Sequence, residues 1–231
     1  MGSQTYVYIV CSPRGRVGVT TAARLLGDYF LSRRRNFIGF DTDPHESPFA
    51  LRFPQQAKVA DLASVKGQIA LFDRLLVSDE TPKVVDLWAR SWKGFFNMVR
   101  EIGFLEEARR QGVTPIFLLA VDNSNECLDA VTGLLAQWPD LNLALVRNRG
   151  AAGQDDGDAS SDRFPPLRDF EIPALDPVVA HAMERADVSL SRFLLAPPSD
   201  MSIVVKSALR TWLSQVFAQI QSFELRMALG G

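Results

Sequence analysis

The chain has 231 residues, 47% of them hydrophobic and 23% charged, enough to bury a substantial core in one large or two small domains. Twenty-five Lys and Arg against 27 Asp and Glu leave a formal charge of −2, which excludes both a chain-wide basic nucleic-acid binder and an acidic disordered chain. Two cysteines, Cys11 and Cys127, and two histidines, His45 and His181, exclude a disulfide framework or zinc cluster and leave little room for His-based catalysis.

Thr5 to Cys11 is short, β-branched and aromatic, the pattern of a strand buried on both faces. After a Pro/Gly/Arg segment, Ala23, Leu26, Phe30 and Leu31 recur at helical spacing and predict a helix over Thr20 to Arg33. Asn36 to Phe40 reads as a second strand running into Asp41-Thr42-Asp43-Pro44. Pro48 and Pro54 read as breaks ahead of a helix around Ile69 to Val77. A short strand at Lys83 to Asp86 follows, then a single helix from Phe95 to Gln111 stopping at Gly112. Thr114 to Ala120 is a strand, Glu126 to Gln137 a helix and Leu141 to Val146 a strand.

Gly150 to Asp162 is small, acidic and glycine-rich, so a mobile loop is expected over 150–163. Beyond it come a last strand at Phe170 to Pro173, a helix from Pro177 to Arg185 with proline in its first turn, and a long C-terminal helix over 202–229. Alternation of strands with helices of 10–15 residues predicts an α/β fold: a doubly wound, mostly parallel sheet with helices on both faces, as one domain over 1–231. No stretch reaches the roughly 18 uninterrupted apolar residues of a membrane span. Nor does the N-terminus carry a signal-peptide pattern, so a soluble cytoplasmic protein is expected.

In such sheets ligands bind beyond the carboxyl ends of the strands, where Ser12 to Thr21 lies. A phosphate-binding loop reads G-x-x-x-x-G-K-S/T: backbone amides cradle phosphate, the Lys neutralises its outer charge, and the hydroxyl holds magnesium. Here Gly18 and Thr20 fit, while Pro13 stands at the first glycine and Val19 at the lysine.

Five segments in order resemble the ParA/MinD family of P-loop ATPases. Arg14-Gly15-Arg16-Val17-Gly18-Val19-Thr20-Thr21 is similar to its deviant Walker A motif, K-G-G-x-G-K-S/T-T. Asp41-Thr42-Asp43-Pro44 looks like its D-x-D-P segment, and Val84-Val85-Asp86 like its Walker B strand. Asn148-Arg149 resembles the N-R beside adenine, and Ile172 to Asp176 the late I-P-x-D segment. The resemblance spans roughly residues 5–190.

It implies a dimeric switch that sandwiches ATP or ADP with Mg²⁺. Gly15, Val17, Gly18 and Thr21 would offer amides to phosphate, and Thr20 and Asp86 would serve the metal. Asp43 would orient the attacking water, and Asn148 and the backbone at Pro173 would contact adenine. Departures fall on the charged positions: Val19 replaces the P-loop lysine, Arg14 the lysine that reaches across the dimer, and Arg16 a glycine whose small size admits phosphate. Because phosphoryl transfer rests on positioning and charge, weak or absent hydrolysis is expected. Divergent branches tied to pilus localisation, cellulose secretion and conjugative transfer are similar, which implies a homodimer and a protein partner in a surface, secretion or DNA-transfer system.

Other readings stand beside this one. A pseudo-ATPase scaffold that no longer binds nucleotide is the alternative; a ligase on the same fold has no substrate motif to support it. Asp41 and Asp43 also suit the capping of a turn. Trp88 and Trp92 are either core residues or part of a partner face. Arg33-Arg34-Arg35 reads as a solvated helix end complementing the dipole, with direct DNA binding weakly supported. The C-terminal helix is expected to pack on the sheet, since its polar face lacks the basic residues of a membrane anchor, and stable membrane insertion is not expected.

Overall fold

The structure is a computed structural model and describes residues 4–151, 163–185 and 201–228, together with Leu190, Ala196 and Ser199. Its strands are β1 (Thr5–Cys11), β2 (Ile38–Asp41), β3 (Ala57–Val59), β4 (Lys83–Asp86), β5 (Val113–Val121), β6 (Leu143–Asn148) and β7 (Arg168–Ile172). They form one seven-stranded sheet in the order β3-β2-β4-β1-β5-β6-β7. Every pairing is parallel. The helices are α1 (Val19–Ser32), α2 (Pro48–Arg52), α3 (Val65–Leu75), α4 (Trp92–Glu101), α5 (Phe104–Arg110), α6 (Asn125–Gln137), α7 (Pro177–Arg185) and α8 (Ile203–Ala228).

The sheet is buried on both sides, and the two-residue period of its strands divides the core. Tyr8 and Val10 of β1, with Ile116, Leu118 and Ala120 of β5, face the layer containing α1, α2, α7 and α8. Val7, Ile9 and Cys11, with Phe117, Leu119 and Val121, face the layer containing α3 to α6. This is the doubly wound α/β arrangement expected. Chain progression reverses around β1, which has β4 on one side and β5 on the other. The carboxyl ends of β1, β2, β4 and β6 therefore open on a common crevice.

Several expectations change. Phe95 to Gln111 is two helices, because Gly103 takes a left-handed φ of 60° and redirects the chain so that Phe104 and Ala108 can enter the core. Pro48 opens α2 rather than breaking structure: at the first helical position its missing N–H has no partner to lose. The short edge strand β3 was not foreseen. The expected loop over 150–163 falls on residues 152–162, which lie outside those described, as does Leu229 at the end of the expected C-terminal helix.

Within the described residues α8 buries Leu209, Trp212, Leu213, Val216, Phe217, Ile220 and Phe223 against the sheet layer, as anticipated. The arginine run is more than a solvated helix end. Arg33 donates to Gln221 at 2.6 Å, and Arg35 pairs with Glu224 at 3.0 Å, so two of the three arginines tie the end of α1 to α8. No helix among the described residues is long and apolar enough to cross a membrane.

Candidate functional site

The turn between β1 and α1 forms one wall of a cleft of about 940 Å³. Its geometry follows from two left-handed residues: Gly18 at φ 99° and Arg16 at φ 66°. Glycine adopts this conformation freely, whereas for arginine it costs on the order of 1 kcal/mol. Arg16 therefore holds, under strain, the position where the resembling motif carries glycine. Gly18 begins α1 with no side-chain cap, and its carbonyl already accepts the Ala22 amide at 2.9 Å. The first-turn amides of Val19, Thr20 and Thr21 have no intrahelical acceptor, which makes this helix start an anion-binding concavity.

The two loop arginines differ in their engagements. Arg14 lies 3.4 Å from Asp122, just beyond β5, and 3.9 Å from Glu126 of α6. Arg16 is exposed and lines the cleft; among the described residues it enters no hydrogen bond or ion pair. Val19 also lines the cleft, so an apolar side chain stands where a phosphate loop places its lysine. Val17 is buried in the core and does not line it.

β4 brings Asp86 to the floor, where only 3% of its surface is exposed. Burial, with the Asp41 carboxylate beside it, raises the Asp86 carboxyl to about 7, opposed by a hydrogen bond from the Thr20 hydroxyl and by the charge of Arg24. Register places Asp41 directly opposite Asp86 in the β2–β4 pair. Thr42 holds the strand ends together: its amide donates to the Asp86 carbonyl at 3.0 Å, its hydroxyl donates to the same oxygen at 3.1 Å, and the hydroxyl oxygen accepts from the Trp88 amide at 2.8 Å.

The two acidic residues after β2 divide their roles. Asp41 is fully buried and caps α2, accepting from the amides of Phe49 at 2.8 Å and Ala50 at 3.0 Å. Asp43 lines the cleft and also accepts from the His45 amide at 2.9 Å, so it caps the turn as well. At the end of β6, Asn148 faces the loop and accepts from the Gly150 amide through Oδ1 at 3.1 Å. Pro173 lies off the cleft, its carbonyl taken by the Trp212 indole N–H at 2.8 Å.

Of the expected site residues, Arg14, Gly15, Arg16, Gly18, Val19, Thr20, Thr21, Asp43, Asp86 and Asn148 are brought together. Glu46, Trp88 and Arg90, which sequence pattern alone does not place at the site, line the wall together with His45. The His45 and Trp88 rings meet edge-on at 5.6 Å, and the Arg90 guanidinium lies 5.2 Å from the centre of the Trp88 ring. The aromatic run of 88–96 was the available signal. Trp88 proves half-buried in the cleft, while the half-buried Trp92 packs on Phe96 at 4.4 Å.

Among the described residues no cluster of three or more His, Cys, Asp or Glu is placed to hold a metal alone. The donor set fits Mg²⁺ nonetheless. That ion is bound through one carboxylate or so, with water and ligand phosphates completing the shell, and a buried, poorly compensated Asp86 beside the Thr20 hydroxyl is such a start.

A parallel sheet whose first strand runs through a glycine turn into an uncapped helix start, at the point of chain reversal, defines a doubly wound α/β protein with its crevice at the carboxyl ends of the strands. No family model matches the chain, and no curated protein matches it. Similar solved structures include a nucleotide-binding protein in complex with ADP from Archaeoglobus fulgidus, at 13% identity over 78% of this chain and 87% of that one, with a TM-score of 0.47. The MinC:MinD cell division protein complex of Aquifex aeolicus is another, at 14% identity over 91% and 96%, with a TM-score of 0.45. These likenesses bear on no ligand and no residue of this chain.

Proposed function

We propose that the chain is a ParA/MinD-like switch that binds ATP or ADP with Mg²⁺ in the cleft and hydrolyses ATP slowly or not at all. The observation that carries this reading is the Thr20 hydroxyl bonded to buried Asp86 at the open start of α1. Backbone amides from Gly15 to Thr21 receive the phosphates, Asn148 meets the base, and Asp43 orients water. Bound Mg²⁺ supplies positive charge to the outer phosphates. Arg16, unpaired among the described residues, takes part of the charge role that Val19 cannot fill. A guanidinium offers a fork rather than a point charge and so supports binding better than transfer. Arg14 reaches a second copy in the nucleotide-bound dimer, leaving Asp122 and Glu126. A protein partner in a surface, secretion or DNA-transfer system reads the dimer.

Calorimetric titration with ATP and ADP, with and without Mg²⁺, tests the reading. Binding that strengthens with Mg²⁺ is expected, and Thr20→Ala should remove that strengthening. No binding at millimolar nucleotide would overturn the switch. The scaffold reading would then stand, favoured by Val19 at the lysine position and by the Asn148 amide packed onto Gly18.

A further inference from the structure

Strand order gives the cleft beyond β1 two sides. Asn148 and Gly150, which follow β6, close one; residues that follow β2 and β4 close the other. Neighbouring strands lie about 4.8 Å apart, and β6 and β2 are each two strands from β1, so these walls stand roughly 10 Å to either side of the α1 start. With the base at Asn148, as in the function proposed above, a phosphate chain runs away from β6 across the start of α1. Its outermost group arrives on the β4 and β2 side.

That side is crowded with acid. Asp43, Glu46 and Asp86 line it, and an outermost phosphate adds further negative charge. Val19 offers no compensation, and Arg14 is drawn to Asp122 and Glu126, beyond β5 on the other side of β1. The Arg24 charge acts on Asp86 and Asp41, but Arg24 does not line this cleft and donates to the Pro48 carbonyl. Among the described residues lining the β4 and β2 side, Arg90 is the one Arg or Lys.

Its backbone is fixed while its side chain is not. The Trp88 amide donates to the Thr42 hydroxyl at 2.8 Å, and the Ser91 amide donates to the Trp88 carbonyl at 2.8 Å, closing the short 3-10 turn Ala89–Ser91 that carries Arg90. The Trp88 ring, edge-on to His45, bears the Arg90 guanidinium at 5.2 Å. Arg90 is exposed, and among the described residues it enters no hydrogen bond or ion pair, which leaves its N–H donors for a ligand. A cation–π contact at an exposed site is weaker than a charge-assisted, forked bond to phosphate. The ring therefore keeps the guanidinium near the cleft without locking it there.

We propose that Arg90 is the group that senses the outermost phosphate, so that the cleft prefers a nucleoside triphosphate to a diphosphate. This role rests on the cleft taking a nucleotide; it adds which phosphate is recognised and by which side chain.

The test is calorimetry on the full chain with Mg²⁺ at about 0.15 M ionic strength, titrating ADP and adenylyl imidodiphosphate, which carries a third phosphate on a non-hydrolysable bridge. The wild-type chain is expected to bind the triphosphate more tightly. Arg90→Gln should weaken triphosphate binding about tenfold, by loss of a charge-assisted contact. ADP binding should change by less than about twofold, because salt screens an exposed charge from the more distant phosphates. Arg90→Lys should restore part of the preference, as a point charge without the fork. Unchanged triphosphate affinity in Arg90→Gln, or an equal loss for both nucleotides, would overturn the proposal while leaving the switch in place. Binding of neither nucleotide by the wild-type chain would overturn the switch itself, and this role with it.

Discussion

The carboxamide of Asn148 sits directly over Gly18: a Cβ on that glycine would overlap Nδ2, and Gly18 itself holds φ at 99°. The end of β6 thus packs on the turn between β1 and α1. Gly18→Ala meets both an overlap and a left-handed backbone and is expected to lose about 2–4 kcal/mol of stability. Adding Asn148→Ala relieves only the overlap. Urea unfolding of both single variants and the double should show coupling of about 1–2 kcal/mol; simple additivity would mean that the two residues do not press on each other.

Arg16 is the one strained residue in the cleft wall whose side chain stays unpaired among those described, and its strain and its charge separate experimentally. Arg16→Gly should change stability by less than about 0.5 kcal/mol, because relief at φ 66° offsets the greater unfolded-state entropy of glycine. Nucleotide affinity should nevertheless fall roughly tenfold through loss of a charge-assisted contact. Denaturant unfolding paired with calorimetry reads both; unchanged affinity would remove Arg16 from the site.

Asp86 carries a stability penalty at neutral pH. Unfolded, its carboxyl titrates near about 3.9; folded, burial and Asp41 raise it to about 7. The native state holds the proton more tightly across that window, so this group's contribution falls as pH rises from roughly 4 to 7 and is fully unfavourable above. Asp86→Asn should therefore raise apo stability at pH 8, on the order of 2 kcal/mol, and change it little at pH 4. Thermal melts at the two pH values check this. The same variant should lose the Mg²⁺ enhancement of nucleotide binding.

Glu224 fastens α8 to the body of the protein. It accepts from the hydroxyls of Tyr29 at 2.8 Å and Tyr8 at 3.2 Å, and from Arg35 at 3.0 Å. Glu224→Ala leaves two buried hydroxyls without an acceptor and should lose about 2–3 kcal/mol. Arg35→Ala removes only a partly exposed pair and should lose less than about 1 kcal/mol. Equal losses would place the anchor in the ion pair rather than in the tyrosine network.

Much of the fold was legible from pattern. β1 and β4 are apolar on both faces because the sheet is covered on both sides, and no other environment suits Thr5 to Cys11 as well. α2 and β3, at five and three residues, are too short for a period to register. The break at Gly103 was hidden because apolar residues continue on both sides of it, and a left-handed φ leaves no trace in hydrophobic spacing. The loop half of the site was read directly from Arg14 to Thr21. Trp88 and Arg90 were not, because they follow β4 and reach the cleft only through the strand order.

The sequence by itself determined a parallel α/β layer structure, a glycine-bearing turn after the first strand, and the absence of a lysine at Val19. These are local properties, written in spacing and residue type. Tertiary structure decided what the charged side chains do: Arg14 turns to Asp122, Arg35 to Glu224, Arg24 to the Pro48 carbonyl, and Arg16 stays at the cleft beyond β1. Long, flexible cations pair with whichever acids folding brings near, and those acids lie on other strands and helices, where no sequence period reaches.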